Sequence, residues 1–151
     1  MRLTILAVGR QKPGALKDLE RLYAERITFP LTIREVEERR KLTAPQMKER
    51  EAELLLAALP KGATLVALDG KGKGLSSTDL AKRLGGWQES AADLVFILGG
   101  AEGLAQPIIE RAQFVLSLGT MTWPHMLARG MLLEQLYRAQ QILIGHPYHR
   151  E

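Results

Sequence analysis

The stretch 116-LSLGTMTWPHMLARGMLLEQLYRAQQILIGHPYHRE-151 reads as a strand, a loop, a helix and a tail, in that order. Leu116 to Leu118 closes an apolar strand, and Gly119-Thr120-Met121-Thr122 is a tight polar loop. Pro124 suits the first turn of a helix, where a missing N–H costs nothing. Ala128, Leu132, Leu136, Ala139 and Leu143 then recur at spacings of four, four, three and four, the face of a helix. Gly145 follows the last of them and suits the left-handed position that ends helices. All three histidines of the chain (His125, His146, His149) lie here, with one of two tryptophans and two of three tyrosines. A frayed terminus is usually small and polar. This one ends His-Pro-Tyr-His-Arg-Glu, so it is expected to dock.

Upstream, strands and helices alternate. Leu3 to Val8 is almost wholly apolar and reads as a strand covered on both faces. After a turn at Gly9 to Gly14, a helix is expected to carry Leu16, Leu19, Tyr23 and Ile27 inward until Pro30 stops it. Leu31 to Val36 is the second strand. Thr43 caps the next helix, with Pro45 in its first turn. Thr64 to Leu68 is the third strand, with 69–74 expected as a glycine-lysine loop. Ser76 or Ser77 caps a helix running to Leu84, where Gly85-Gly86 is expected to end it. Asp93 to Leu98 is the fourth strand, Gln106 to Ala112 a short helix, and Phe114 to Leu118 the fifth strand. This order implies an α/β fold built on a parallel sheet, and the 151 residues are expected to form one domain.

Ligands of such sheets sit beyond the carboxyl ends of the strands. Three glycine-rich or polar segments leave those ends: 69–74, 99–103 and 119–124. They form the candidate site, because glycine lets backbone amides approach a ligand closely. The spacing excludes familiar alternatives. Gly99-Gly100-x-x-Gly103 is not G-x-G-x-x-G and follows the fourth strand, not the first, and no G-x-x-x-x-G-K-[ST] occurs. The histidines, 21 and 3 apart, come with no Cys and no H-E-x-x-H, so no metal site is expected.

Composition narrows the partners. The absence of Cys excludes disulfides and thiolate nucleophiles, and a net charge of +4 with pI near 9.6 favours a polyanion. No apolar run approaches the roughly 20 residues of a membrane span. The start, MRLTILAVGR, reads as a first strand and not as a signal peptide. A cytoplasmic location without membrane contact is expected.

Several motifs act together. They are Leu68-Asp69-x-x-Gly72-Lys73, Ile97-Leu98-Gly99-Gly100-x-x-Gly103-Leu104, Leu116-Ser117-x-x-x-Met121-Thr122-x-Pro124-His125, Glu134-Gln135-Leu136-Tyr137-Arg138-Ala139 and the terminal His146-Pro147-Tyr148-His149-Arg150. With the TILAVG start, they give the whole chain a resemblance to the small SPOUT methyltransferases that methylate N3 of a pseudouridine in large-subunit (23S) ribosomal RNA. The resemblance implies a parallel-sheet fold with a C-terminal trefoil knot, a homodimer, S-adenosylmethionine (SAM) as methyl donor, and the ribosome with its 23S rRNA as partner. It places the cofactor against Leu68, Gly99, Gly100, Leu118, Gly119, Thr120, Met121, Thr122 and Trp123. This chain departs from the family at two positions: Gly119 stands where Ser is common, and Trp123 where Leu or Phe is usual.

An imide N3–H is a weak acid, so its methylation is helped by a base or hydrogen-bond acceptor. The candidates are His149, Glu102, His125 and Glu151. The tail is favoured, with Arg150 holding a phosphate or a carbonyl oxygen of the base, while His125 is expected to cap the last helix. Two rivals remain: a related methyltransferase acting on tRNA, and a non-catalytic RNA-binding module with an aromatic tail for stacking.

Overall fold

The computed structural model describes residues 1–151. Strands and helices alternate: β1 (Leu3–Val8), α1 (Ala15–Ala24), β2 (Leu31–Val36), α2 (Ala44–Ala57), β3 (Thr64–Gly74), α3 (Ser77–Glu89), β4 (Leu94–Leu98), α4 (Gln106–Arg111), β5 (Phe114–Ser117) and α5 (His125–Leu143). The strands form one sheet in the order β2-β1-β4-β3-β5, and every neighbouring pair is parallel. All the strands therefore end at the same edge of the sheet.

The near-continuous apolar runs of β1 and β4 belong to the sheet's covered interior. Ile5, Ala7, Phe96 and Leu98 face one layer with Leu80 and Leu84 of α3 and Leu132 and Leu136 of α5. Leu6, Val8, Val95 and Ile97 face the other, with Leu55 of α2 and Ile108 of α4. Helix α5 packs against both α1 and α3. Its C-terminus closes as expected: Gly145 has φ +72°, and the His146 N–H donates to the Gln141 carbonyl at 2.9 Å. At α2, Thr43 and Gln46 form a reciprocal capping box.

Four expectations are corrected. Segment 69–74 is not a free loop. After a register break between Leu68 and Lys73 the chain pairs with β5 again, Lys73 opposite Leu116 and Gly74 opposite Ser117. Gly85-Gly86 does not end α3, which continues to Glu89. A Cβ on Gly85 would lie 3.1 Å from Leu143 Cδ2, so the residue lets α5 come close. On α1, Leu16 is exposed and Glu20 is buried, because the inward face turns toward α5, where Arg129 attracts the Glu20 carboxylate. Finally, Leu143 of the expected α5 stripe is 40% exposed, whereas Leu133 beside that stripe is fully buried. A helix wedged between two others buries a wider arc than one lying on a sheet alone, and a Leu so buried contributes about 1.5–3 kcal/mol.

Candidate functional site

At the carboxyl edge of the sheet, the ends of β3, β4 and β5 open a cleft of about 500 Å³. Leu68, Gly99, Gly100, Leu118, Gly119, Thr120, Met121, Thr122 and Trp123 all line it. The three segments singled out in the sequence thus meet in one place. Asp69, Gly70 and Lys71 of the first segment line it too, together with His125 and Ala128, which sequence reasoning had not placed in a cofactor pocket.

The glycine loop is tightly folded. The Gly103 N–H donates to the Gly100 carbonyl at 3.0 Å. A Cβ on Gly99 would lie 2.7 Å from the Gly103 carbonyl carbon and 3.1 Å from the Leu104 nitrogen, so only glycine lets the loop fold back on itself here. The loop after β5 is held by side chains. Ser117 Oγ accepts from the Gly119 N–H at 3.1 Å and lies within donating distance of the Gly119 and Gly70 carbonyls. One hydroxyl therefore joins two walls of the cleft. Gly119 has φ +114°, a backbone region that a serine would adopt only with strain. Trp123 Nε1 donates to the Leu118 carbonyl at 3.3 Å, so the indole braces the loop from end to end.

Below the cleft, the guanidinium of Arg129, a residue 1% exposed, donates to Glu35 Oε2 at 2.6 Å and to the carbonyls of Val8 (2.9 Å) and Gly9 (2.6 Å). It ties the ends of β1 and β2 to α5. Burial works to raise the Glu35 carboxyl, but the Gln11 N–H and Arg129 outweigh it and hold the group below its ordinary value. One turn earlier on α5, His125 makes no side-chain cap of the helix, against expectation. Pro124 supplies the boundary, and the imidazole lines the cleft instead. Burial and the Arg129 charge hold His125 below its ordinary pKa, so the ring is neutral at neutral pH.

The tail docks. Tyr148 packs edge-on against Tyr137 at 4.7 Å between ring centres, and its hydroxyl donates to Glu134 Oε1 at 2.9 Å. Burial, with Tyr23 and Glu134 close to the hydroxyl, pushes the Tyr148 phenol well above its ordinary value. Arg138 donates to Glu134 and lies 3.2 Å from His149 Nδ1. His149 Nε2 is buried without a hydrogen-bond partner, 3.8 Å from Glu151 Oε1, and Arg150 is exposed. Glu134 also lines a second cavity of about 460 Å³, which shares Leu116, Leu118 and Gly119 with the first. The tail is thus anchored on a residue of the cavity next to the cleft. Glu102 is exposed and outside the cleft lining. Together with burial, its charge raises the carboxyl of Glu51, which lies behind Gly100. The arrangement does not bring Glu102 together with His149.

A doubly covered parallel sheet, with glycine loops at its carboxyl edge and no dinucleotide fingerprint, defines an α/β cofactor-binding protein outside the Rossmann type. The chain belongs to the SPOUT methyltransferase family, whose model, described as "Predicted SPOUT methyltransferase", matches residues 1–149. It is 55% identical over 151 residues to the ribosomal RNA large subunit methyltransferase H of Rhodospirillum centenum, covering 99% of each chain. Identity to the protein of that name from Paramagnetospirillum magneticum is also 55%, with the same coverage. Among solved structures, a probable methylase family protein from Haemophilus influenzae has a similar fold (TM-score 0.59, 9% identity, 99% of this chain and 70% of that one). So does the SpoU methyltransferase AviRb from Streptomyces viridochromogenes, solved with AdoMet (TM-score 0.52, 15% identity, 93% and 58%). No helix is long and apolar enough to cross a membrane.

Proposed function

We propose that this protein is a SAM-dependent methyltransferase that modifies N3 of a pseudouridine in 23S rRNA, acting on the ribosome in the cytoplasm as a homodimer, with the whole chain as one catalytic domain. The observation that carries the reading is the meeting of three strand-end segments, 68–71, 98–104 and 118–123, in one cleft. The names of the full-length relatives, large-subunit rRNA methyltransferases, support the substrate.

The cleft fits the cofactor. Leu68, Leu118 and Met121 offer apolar walls to an adenine, and the neighbouring amides and carbonyls offer its hydrogen bonds. Bound there, SAM would supply a methyl group already activated by its sulfonium. The chain must align the acceptor and take up the N3 proton. The cavity lined by Glu134, the residue that anchors the tail, is the place for the target base, because it shares a wall with the cofactor cleft.

Arg138 lies against Nδ1 of His149, whose Nε2 is buried, so His149 positions the tail, while the exposed Arg150 beside it holds a phosphate or a carbonyl oxygen of the base. His125, neutral and in the cleft wall, accepts the N3 proton. Glu102, in the loop behind the cofactor, acts on the site through its charge. The exposed Leu22, Leu143 and Ile144, with half-buried Met126, Leu127, Met131 and Ile142, give a second copy an apolar surface.

The test is methyl transfer from labelled SAM to ribosomes, protein-free rRNA and tRNA. Transfer to ribosomes is expected to dominate. Preferential transfer to tRNA, or binding of ribosomes without transfer, would overturn the reading.

A further inference from the structure

Beyond the cleft and the tail, a groove of about 640 Å³ runs between the end of β3 and the outer face of α3. Three cations line it, Lys73, Lys82 and Arg83, against one carboxylate, Asp79. The only pairing among them is weak. Lys82 Nζ lies 3.9 Å from Asp79, with the two side chains 78% and 57% exposed, and such surface pairs contribute little. Arg83 is held in place by stacking. Its guanidinium carbon is 4.0 Å from the Phe114 ring centre and 5.9 Å from that of Trp87. The groove therefore offers two exposed ammonium groups, one positioned planar fork and the half-buried Trp87.

The groove is continuous with the site. Gly74 and Leu75 line both it and the cavity beside the cofactor cleft, while Lys71 lines the cleft itself. Positions 71, 73, 82 and 83 thus mark a cationic path leading from the cleft around the end of β3. A line of cations beside an aromatic edge is the chemistry that holds a sugar-phosphate chain, which wants repeated positive contacts and a stacking surface. The re-paired end of β3, which the sequence had suggested was a loose loop, builds one wall of this groove.

We propose that the groove holds the phosphodiester backbone of RNA flanking the target nucleotide, with Lys73, Lys82 and Arg83 on phosphates. The inference deepens the function proposed above and rests on it for the identity of the polymer. The groove sets affinity and register, and it takes no part in methyl transfer.

The test compares the full-length protein with a Lys73→Ala/Lys82→Ala variant and with Arg83→Lys, which keeps the charge. A Lys61→Ala/Arg111→Ala variant is the control. It removes the same charge from the opposite edge of the sheet, where both residues are exposed. Binding to ribosomes and to protein-free 23S rRNA is measured between about 50 and 200 mM salt, where each phosphate contact contributes about 0.7–0.9 to the slope of log K against log salt. Losing two contacts should lower the slope by about 1.4–1.8. The KM for ribosomes should rise about tenfold, a loss of about 1.4 kcal/mol of binding. SAM affinity and kcat should change less than about twofold, and both the control and Arg83→Lys should keep the wild-type slope. An unchanged slope in the double variant, or an equal loss in the control, overturns the proposal. Weaker binding to ribosomes with unchanged binding to protein-free rRNA also overturns it, by assigning the groove to an acidic ribosomal protein. A wild-type protein that transfers no methyl to ribosomes would refute the function itself, and the slope comparison on protein-free rRNA would still decide the groove.

Discussion

Replacing Arg129 with methionine removes the tie that joins the ends of β1 and β2 to the last helix. Methionine matches the aliphatic stem and ends short of the guanidinium, so the loss is mainly of polar contacts, with a small void added. Three interactions go: the pair with Glu35 at 2.6 Å and the bonds to the carbonyls of Val8 and Gly9. Breaking a buried pair from one side costs about 3–5 kcal/mol. Here the Glu35 side chain is 26% exposed and keeps the Gln11 N–H, so the low end applies, about 3 kcal/mol. Against a domain stability of about 5–15 kcal/mol the variant stays folded but weakened. At about 2–4 °C per kcal/mol, its melting temperature should fall by about 6–12 °C. Urea unfolding at neutral pH gives the free energy directly. The pH dependence has a defined sign. Glu35 is held below its ordinary pKa, so its stabilisation is complete above the ordinary carboxylate range and is lost as pH falls through the folded value. The gap between wild type and variant should narrow on acidification. A loss below about 1 kcal/mol, or a gap that widens in acid, would refute the role given to this pair.

The other predictions concern the site. Gly99→Ala drives a Cβ into the Gly103 and Leu104 backbone, so the collision is within the loop and not with the cofactor. Calorimetry should show SAM affinity lower by at least about tenfold, with about 1–3 kcal/mol of strain in unfolding; unchanged affinity in a folded variant would remove this loop from the site. His125→Gln should lower kcat by about 100-fold or more while SAM binding survives. The wild-type rate should fall only as pH drops through a His125 pKa below its ordinary value, and the variant should lose that limb. Full activity in His125→Gln from acid to alkaline pH would send the proton elsewhere. Removal of His149, Arg150 and Glu151 should leave SAM affinity within about twofold and lower methyl transfer by about 100-fold, beyond any loss of stability. Activity that falls only in proportion to stability would reduce the tail to a clamp on α5.

The sheet was legible because its signals are local. The apolar runs of β1 and β4 and the Thr43-Pro45-Gln46 cap specify their own conformations, and glycine marks where strands must end near a ligand. What escaped depends on distant partners. Lys73 and Gly74 look like part of a loop until β5 is there to pair with them. Gly85 looks like a terminator until Leu143 of α5 needs the space, and Glu20 looks like a surface residue until Arg129 lies opposite. The residues that line the cleft could be named in advance because the family motifs fall on strand ends. The packing of His149 against Arg138 could not, since it needs the folded tail to lie on α5. The trefoil knot was an expectation of the resemblance alone, because elementary topology rules argue against any knot.

The most direct measurement is mass spectrometry of nucleosides from ribosomes treated with the protein and SAM, read alongside the tail-truncated variant. The expected result is one added methyl on N3 of a 23S pseudouridine with the full chain and almost none with the truncated one. A methyl on another atom or another RNA would contradict the account, as would full methylation by the truncated chain.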